Sequence, residues 1–457
     1  MKAAIAALFL AAEVAAYGPE ALQDEITDLP GAPSVEFRMF SGYIDVGEGQ
    51  MFYWFVESQR DAAHAPVILW TNGGPGCSGL AGFLTEQGPF RVKADGKTLS
   101  MNHLAWNKIV NMVFIEQPVG VGFSKTDKEI QYGDHQAAED NFKFVLGFFK
   151  RYPEYKGNDF YISSESYGGH YMPTLGKLLA DRDDVPSFRG IFLGNPLTYM
   201  MYRDYGQYGT AWGHQLLPGP LWMQYDAAKC ATTFPASEAC QKVTAEMDKI
   251  LSGFDVYALG FPTCDHGTAA GQQERLQLMS QVNQAKGDLP PPYQPCASDL
   301  GEKYLNLPEV QTAIHAQHTE WGDCSRVVGR HYNSTDLNEP MMPYWQHLIQ
   351  KGTLNLMIYS GDDDAVCATL GSQQFVWDLG YAPLEGKSWV PWTVQHQTAG
   401  FRTEFAVPSK AGASASFSFV TVHGAGHMVP ATQPARSLAL LRSFLGMEIE
   451  DATLLTE

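Results

Sequence analysis

The segment Phe160-Tyr161-Ile162-Ser163-Ser164-Glu165-Ser166-Tyr167-Gly168-Gly169-His170-Tyr171 sets a serine between an apolar, β-prone run and a helix-like stretch from Tyr171 to Ala180. A tight strand-to-helix turn of this kind lifts a hydroxyl clear of a sheet and tolerates only small residues two positions either side of the serine. Ser164 and Gly168 are both small, although the first glycine of the usual G-x-S-x-G pattern is a serine here. A serine becomes an effective nucleophile when a base takes its proton during attack, and histidine does so near neutral pH. Candidate partners lie downstream. Leu354–Tyr359 is an apolar run that ends in Ser360-Gly361-Asp362-Asp363-Asp364, and Phe419–Val422 runs into His423-Gly424-Ala425-Gly426-His427-Met428. An aspartate would hold the imidazole in the right tautomer and stabilise the imidazolium. Spacing alone does not choose among the three aspartates.

Ser, Asp, His is the chain order of the α/β-hydrolases and differs from the other serine-nucleophile orders. An oxyanion formed at such a serine needs preorganised donors, worth roughly 2.7–4 kcal/mol each. One comes from the amide after the serine, Tyr167, and the other from a glycine-rich loop after an earlier strand. That loop is Val67-Ile68-Leu69-Trp70-Thr71-Asn72-Gly73-Gly74-Pro75-Gly76-Cys77-Ser78, whose glycines let backbone N–H groups approach a substrate.

The elements that must position these residues are legible in outline. Residues 36–58 read as an antiparallel hairpin, and strand candidates follow at Val67–Trp70, Met112–Ile115, Phe160–Ser163 and Ile191–Leu193. His135 to Tyr152 carries Phe142, Val145, Leu146 and Phe149 at amphipathic-helix spacing and stops at Pro153. Strand–helix–strand alternation predicts an α/β fold with a mostly parallel central sheet flanked by helices. Between about Met200 and Pro343 strand runs vanish, cysteines gather and Leu289-Pro290-Pro291-Pro292-Tyr293 marks a linker; this reads as a helical cap insertion. The expected division is a signal peptide over 1–16, a first part of the core over 17–199, the cap over 200–343 and a second part of the core over 344–457.

With 457 residues, 45% of them hydrophobic, the chain can bury a large core. A net charge of −19 and no long basic stretch argue against nucleic acid or an anionic membrane as partner. Lys2, the apolar Ala3–Ala12 and small residues at Val14-Ala15-Ala16 form a signal-peptide pattern. No later segment approaches the roughly 20 continuous apolar residues of a membrane span. The expected location is the secretory pathway, either secreted or in a lysosomal or vacuolar lumen. No C-x-x-C or H-E-x-x-H spacing occurs, so neither metal nor cofactor is expected. Asn333-Ser334-Thr335 is a candidate glycosylation sequon. Tyr17 to about Pro33 is left open as a short propeptide, and a homodimer is left open as well.

W-T-N-G-G-P-G-C-S-G-L, S-E-S-Y-G-G-H-Y, Y-S-G-D-D-D and G-A-G-H-M-V-P together resemble the serine carboxypeptidase family of α/β-hydrolases, from about Phe37 to about Leu445. The resemblance implies Ser166 as nucleophile, His427 as base and Asp364 as orienting acid, with Gly74 and Tyr167 supplying the oxyanion amides. It implies that Asn72, the Gly73 amide, Glu86 and Glu165 bind the carboxylate at a peptide's C-terminus, and that Met428 lines the leaving-residue pocket. It also implies the pairings Cys77 with Cys324, Cys230 with Cys240 and Cys264 with Cys296. Cys367 is then the free thiol, either reactive beside the pocket or buried and inert. The activity expected is release of C-terminal residues at acidic pH, because two close acids resist ionising together and a protonated carboxyl can donate to a carboxylate. The alternatives are an acyltransferase of the same fold, against which retention of Asn72 and Glu165 counts, and a lumenal protective partner with secondary hydrolysis.

Overall fold

The computed structural model describes residues 17–264 and 293–447. The expected signal peptide, most of the proline linker and the last ten residues lie outside them. Among the described residues there are twelve strands: β1 Met39–Asp45, β2 Gln50–Val56, β3 Val67–Thr71, β4 Phe90–Val92, β5 Leu99–Met101, β6 Asn111–Ile115, β7 Phe160–Ser166, β8 Phe188–Pro196, β9 Asn355–Gly361, β10 Val390–Val394, β11 Gln397–Glu404 and β12 Ser416–Val422. Apart from the small β4–β5 hairpin they form one sheet in the order β1-β2-β6-β3-β7-β8-β9-β12-β11-β10. The inner run from β6 to β12 is parallel, and both edges are antiparallel.

Continuous apolar runs make the inner strands, because helices cover both faces. β3 and β6 are buried at every position. Side chains alternate between two cores: Val67 and Leu69 face one, Ile68 and Trp70 the other. Helices Asp134–Arg151, Gly168–Asp181 and Met342–Gln350 pack on the first face, with Phe148, Leu175 and Trp345 in its core. Helices Gly79–Thr85 and Pro434–Phe444 cover the second, with Phe83 and Leu440 in its core. The hairpin expected over 36–58 is β1–β2, paired from Met39↔Val56 to Asp45↔Gln50.

Among the described residues from 200 to 343 there is no strand of the sheet. Helices Met200–Gly213, Gly219–Ala227 and Glu238–Leu251 share a small core of their own around Tyr208, Tyr225 and Met247. Helices Ala297–Leu305 and Pro308–Ala313 behave differently and add Tyr304, Leu305 and Val310 to the second main core. Tyr17–Pro33 is also built into the body, with Ala21 buried and the Tyr17 hydroxyl on Glu57 and Tyr155.

Candidate active site

Ser166 closes β7 with a left-handed φ of 59°, the strained turn that presents its side chain above the sheet. The need for small neighbours is direct: a Cβ on Gly168 would lie 1.9 Å from Ser164 Oγ. The glycine-rich loop after β3 presses on the same turn, since a Cβ on Gly73 would lie 2.4 Å from Tyr167 N and 2.8 Å from Ser166 Cβ. The candidate oxyanion donors, Gly74 and Tyr167, therefore belong to two backbones in close contact at the serine.

His427, 2% exposed, is held from both sides. Its Nδ1 lies 2.8 Å from Asp364 Oδ2, and its backbone N–H donates to the Tyr257 carbonyl at 2.7 Å. Nε2 is buried with no partner among the described residues, leaving it available to a hydroxyl. Asp364 is fully buried and accepts from Val366 N at 2.7 Å, Cys367 N at 3.1 Å and Asn195 Nδ2 at 2.8 Å. These donors hold the carboxylate in one orientation. The neighbouring aspartates are otherwise engaged. Asp362 pairs with the exposed His423 at 2.7 Å, and Asp363 accepts from Gly260 N at 2.7 Å.

A second constellation adjoins the serine. Asn72 Nδ2 donates to Glu86 Oε1 at 2.8 Å and to Glu165 Oε1 at 3.0 Å, while its Oδ1 accepts from Trp70 Nε1 at 2.9 Å and Gly82 N at 3.0 Å. Those two donors fix which end of the amide faces the acids. Both glutamates are buried. Burial pushes the Glu86 carboxyl up to about 7 against the pull of Asn72. Burial, and then the charge of Glu86, hold Glu165 well above the usual carboxylate range. Arg91 fastens this corner by donating to the Glu86 and Phe90 carbonyls.

Asn72, Glu86, Glu165, Ser166, His427 and Met428 all line one cavity of about 840 Å³. It is wide enough for a peptide end and has both charge-handling and apolar walls. Residues 30–447 match the model of the family described as serine carboxypeptidase. The chain belongs to the serine carboxypeptidase family. Among its relatives in Arabidopsis thaliana, serine carboxypeptidase-like 22 is 36% identical over 444 residues, covering 93% of this chain and 92% of the relative. Serine carboxypeptidase 24 of the same plant is 34% identical over 446 residues, covering 93% and 92%. A crystal structure of a prohormone-processing carboxypeptidase from Saccharomyces cerevisiae superposes with a TM-score of 0.74 at 20% identity, covering 95% of this chain and 98% of that one, so the α/β-hydrolase fold is shared.

In this serine carboxypeptidase-family chain the sulfurs of Cys77 and Cys324 are 1.99 Å apart, those of Cys230 and Cys240 2.11 Å, and those of Cys264 and Cys296 1.98 Å. Cys367 is unpaired and buried against Ser166, and burial holds its thiol pKa well above the ordinary value. Asn333 is half-buried, and its Nδ2 donates to Asp336 Oδ1 at 2.9 Å, a bond that an attached glycan would displace. Sequence reasoning missed Asn195, Arg91 and Tyr257, and it missed Tyr293, which lines the same cavity. Asn195 had a signal, since the apolar run Ile191–Leu193 ends in Gly194-Asn195-Pro196 at the site-bearing edge. The tyrosines stand in or beside the insertion, where no periodicity points them at the cavity.

Proposed function

We propose that the chain is a serine-type carboxypeptidase that releases C-terminal residues from peptides at acidic pH through an acyl-enzyme. Supporting this reading above all is the buried Asn72–Glu86–Glu165 cluster beside Ser166. Two acids kept from ionising together, bridged by an amide, can donate hydrogen bonds to a terminal carboxylate that ionised glutamates would repel. An internal peptide bond offers no such group, so the cluster selects chain ends. Met428, beside the base, lines the pocket for the departing residue.

Ser166 Oγ attacks the last peptide carbonyl as His427 Nε2 takes its proton, while the Nδ1–H bond to Asp364 stabilises the imidazolium. The Gly74 and Tyr167 amides carry the oxyanion. Collapse breaks the C–N bond, the amine leaves with the proton from His427, and the acyl group stays on Ser166. Water, deprotonated by His427, then releases the shortened peptide and restores the serine. The disulfides suit an oxidising lumen, which favours the secretory pathway as location.

The test compares an N-blocked dipeptide acid with its C-terminal amide at pH 5. Rapid release from the acid and at least tenfold slower release from the amide is expected. Equal rates would remove the carboxylate clamp. Sparing of both peptides, with transfer of an activated acyl ester to an alcohol, would replace the peptidase reading by an acyltransferase.

A further inference from the structure

Behind the nucleophile turn lies a buried acid–imidazole pair that no step of the acyl transfer uses. Asp134 and His170 are both 0% exposed, and His170 Nδ1 lies 2.8 Å from Asp134 Oδ2. The other oxygen, Oδ1, accepts from the Tyr167 hydroxyl at 3.0 Å and from the Tyr332 hydroxyl at 2.7 Å. Asp134 opens helix Asp134–Arg151, and its backbone N–H donates to Asp336 Oδ2 at 2.7 Å. With both oxygens bonded and its backbone anchored, this carboxyl is held in one orientation.

What the carboxyl grips is the first turn of helix Gly168–Asp181, the turn that begins at Tyr167. Tyr167 and His170, three residues apart, are neighbours on that turn. Their rings stack with centroids 4.6 Å apart and planes at 12°. Asp134 thus closes a clasp, with one oxygen on the phenol and the other on the imidazole. Tyr171, the next residue, packs edge-on against Tyr167 at 5.1 Å, and its hydroxyl accepts from Gly76 N at 3.2 Å. Gly76 belongs to the loop that carries Gly74, so both oxyanion donors are fixed relative to this one turn. The turn needs such support. Ser166 has a φ of 59°, a strained backbone state that persists only where its surroundings over-determine it. An apolar pair would fill the same space at a lower desolvation cost, and what the polar pair adds is orientation.

Resting on the acyl-enzyme reading of Ser166, we infer that Asp134 is a positioning residue for the oxyanion hole, acting through Tyr167 and His170. It stands outside the cavity lining and holds the turn that aims the Tyr167 amide at the developing charge. That aim counts in the transition state, whereas ground-state binding of a peptide end rests on the Asn72–Glu86–Glu165 clamp.

The test uses an N-blocked amino-acid ester and the same ester with sulfur in place of the carbonyl oxygen. Sulfur accepts hydrogen bonds weakly, so the kcat/KM ratio of the two esters reads the oxyanion hole. Taken within one protein, the ratio does not depend on how much of a variant folds. The wild type should favour the oxygen ester by about a hundredfold or more, the scale of one oxyanion donor. Asp134→Ala should compress that ratio about tenfold, and Tyr167→Phe, which removes one buried oxygen and keeps the amide, about threefold. With a blocked dipeptide acid at pH 5, both variants should lose kcat by similar factors while KM stays within about twofold. An unchanged ratio in Tyr167→Phe or in folded Asp134→Ala, or a loss confined to KM, overturns the assignment and leaves the peptidase reading intact. Where Asp134→Ala does not fold, Tyr167→Phe decides. A wild type that acylates with both esters equally has no oxyanion preference to position, which also overturns the assignment. If the wild type forms an acyl-enzyme with neither ester, the reading of Ser166 and this assignment fall together.

Discussion

Replacing Glu86 by glutamine should flatten a pH-dependent KM. The Glu86 carboxyl is buried beside Glu165, and burial lifts it to about 7. Because this folded value lies above the ordinary one, the neutral form that donates to a substrate carboxylate is full below pH 7 and drained above it. Each pH unit beyond the midpoint removes about tenfold of that form. KM for a blocked dipeptide acid should therefore rise about tenfold between pH 6 and pH 8 in the wild type. In Glu86→Gln the amide is neutral at every pH, and Glu165 loses the charge to which its own titration is coupled, so the rise should shrink below about threefold. Initial rates over a range of dipeptide concentrations at pH 5, 6, 7 and 8 give KM and kcat separately. The dipeptide amide, which has no carboxylate to bind, supplies a reference without that rise. A flat wild-type KM, or a Glu86→Gln KM that keeps the tenfold rise, would refute the argument.

Three further outcomes are expected. Glu116, fully buried under Ser78 Oγ, Phe123 N and Trp321 Nε1, has its carboxyl raised from 4.5 to about 7, mainly by burial. Stability is then full below the unfolded value and lost as pH climbs through about 7, by roughly 3 kcal/mol at the end of the window. Urea unfolding at pH 5 and pH 8 should show that loss in the wild type and a smaller one in Glu116→Gln. Asn195→Ala removes a buried donor to Asp364 and should cost about 1–3 kcal/mol of stability. In steady-state assays the same change should lower kcat about tenfold with KM little altered, because it loosens the acid that orients His427. Replacing Cys77 and Cys324 together by alanine opens a link spanning 247 residues and should cost roughly 2–5 kcal/mol in calorimetry.

The strand-final residues were legible because parallel strands leave a continuous apolar signature and end at the site. Phe160–Ser163, Ile191–Leu193 and the run from Leu354 all appear as β7, β8 and β9. The hairpin β10–β11 was not legible. Val390 and Trp389 are exposed, Pro391 sits within the strand, and an edge strand can accept a proline that an inner strand cannot. Nor could spacing choose among Asp362, Asp363 and Asp364. The choice depends on how the loop after β9 turns, which sends one side chain to His423, one to Gly260 N and one inward to His427. The split within the insertion was hidden for a related reason. Tyr304, Leu305 and Val310 carry an ordinary helical pattern, and that pattern does not say which core a helix joins. Glu86 illustrates the opposite case, since only the family resemblance marked it, while its chemistry follows from burial next to Glu165.

The most direct test of the account follows acyl-enzyme formation with an ester of an N-blocked amino acid and a chromogenic leaving group. The wild type should give a burst close to one equivalent of leaving group per protein, with the acyl mass located on the peptide containing Ser166. Ser166→Ala should show neither burst nor adduct, and should release no C-terminal residue from the blocked dipeptide. A burst that persists in Ser166→Ala, or an acyl mass carried by Cys367 instead, would contradict the assignment of the nucleophile.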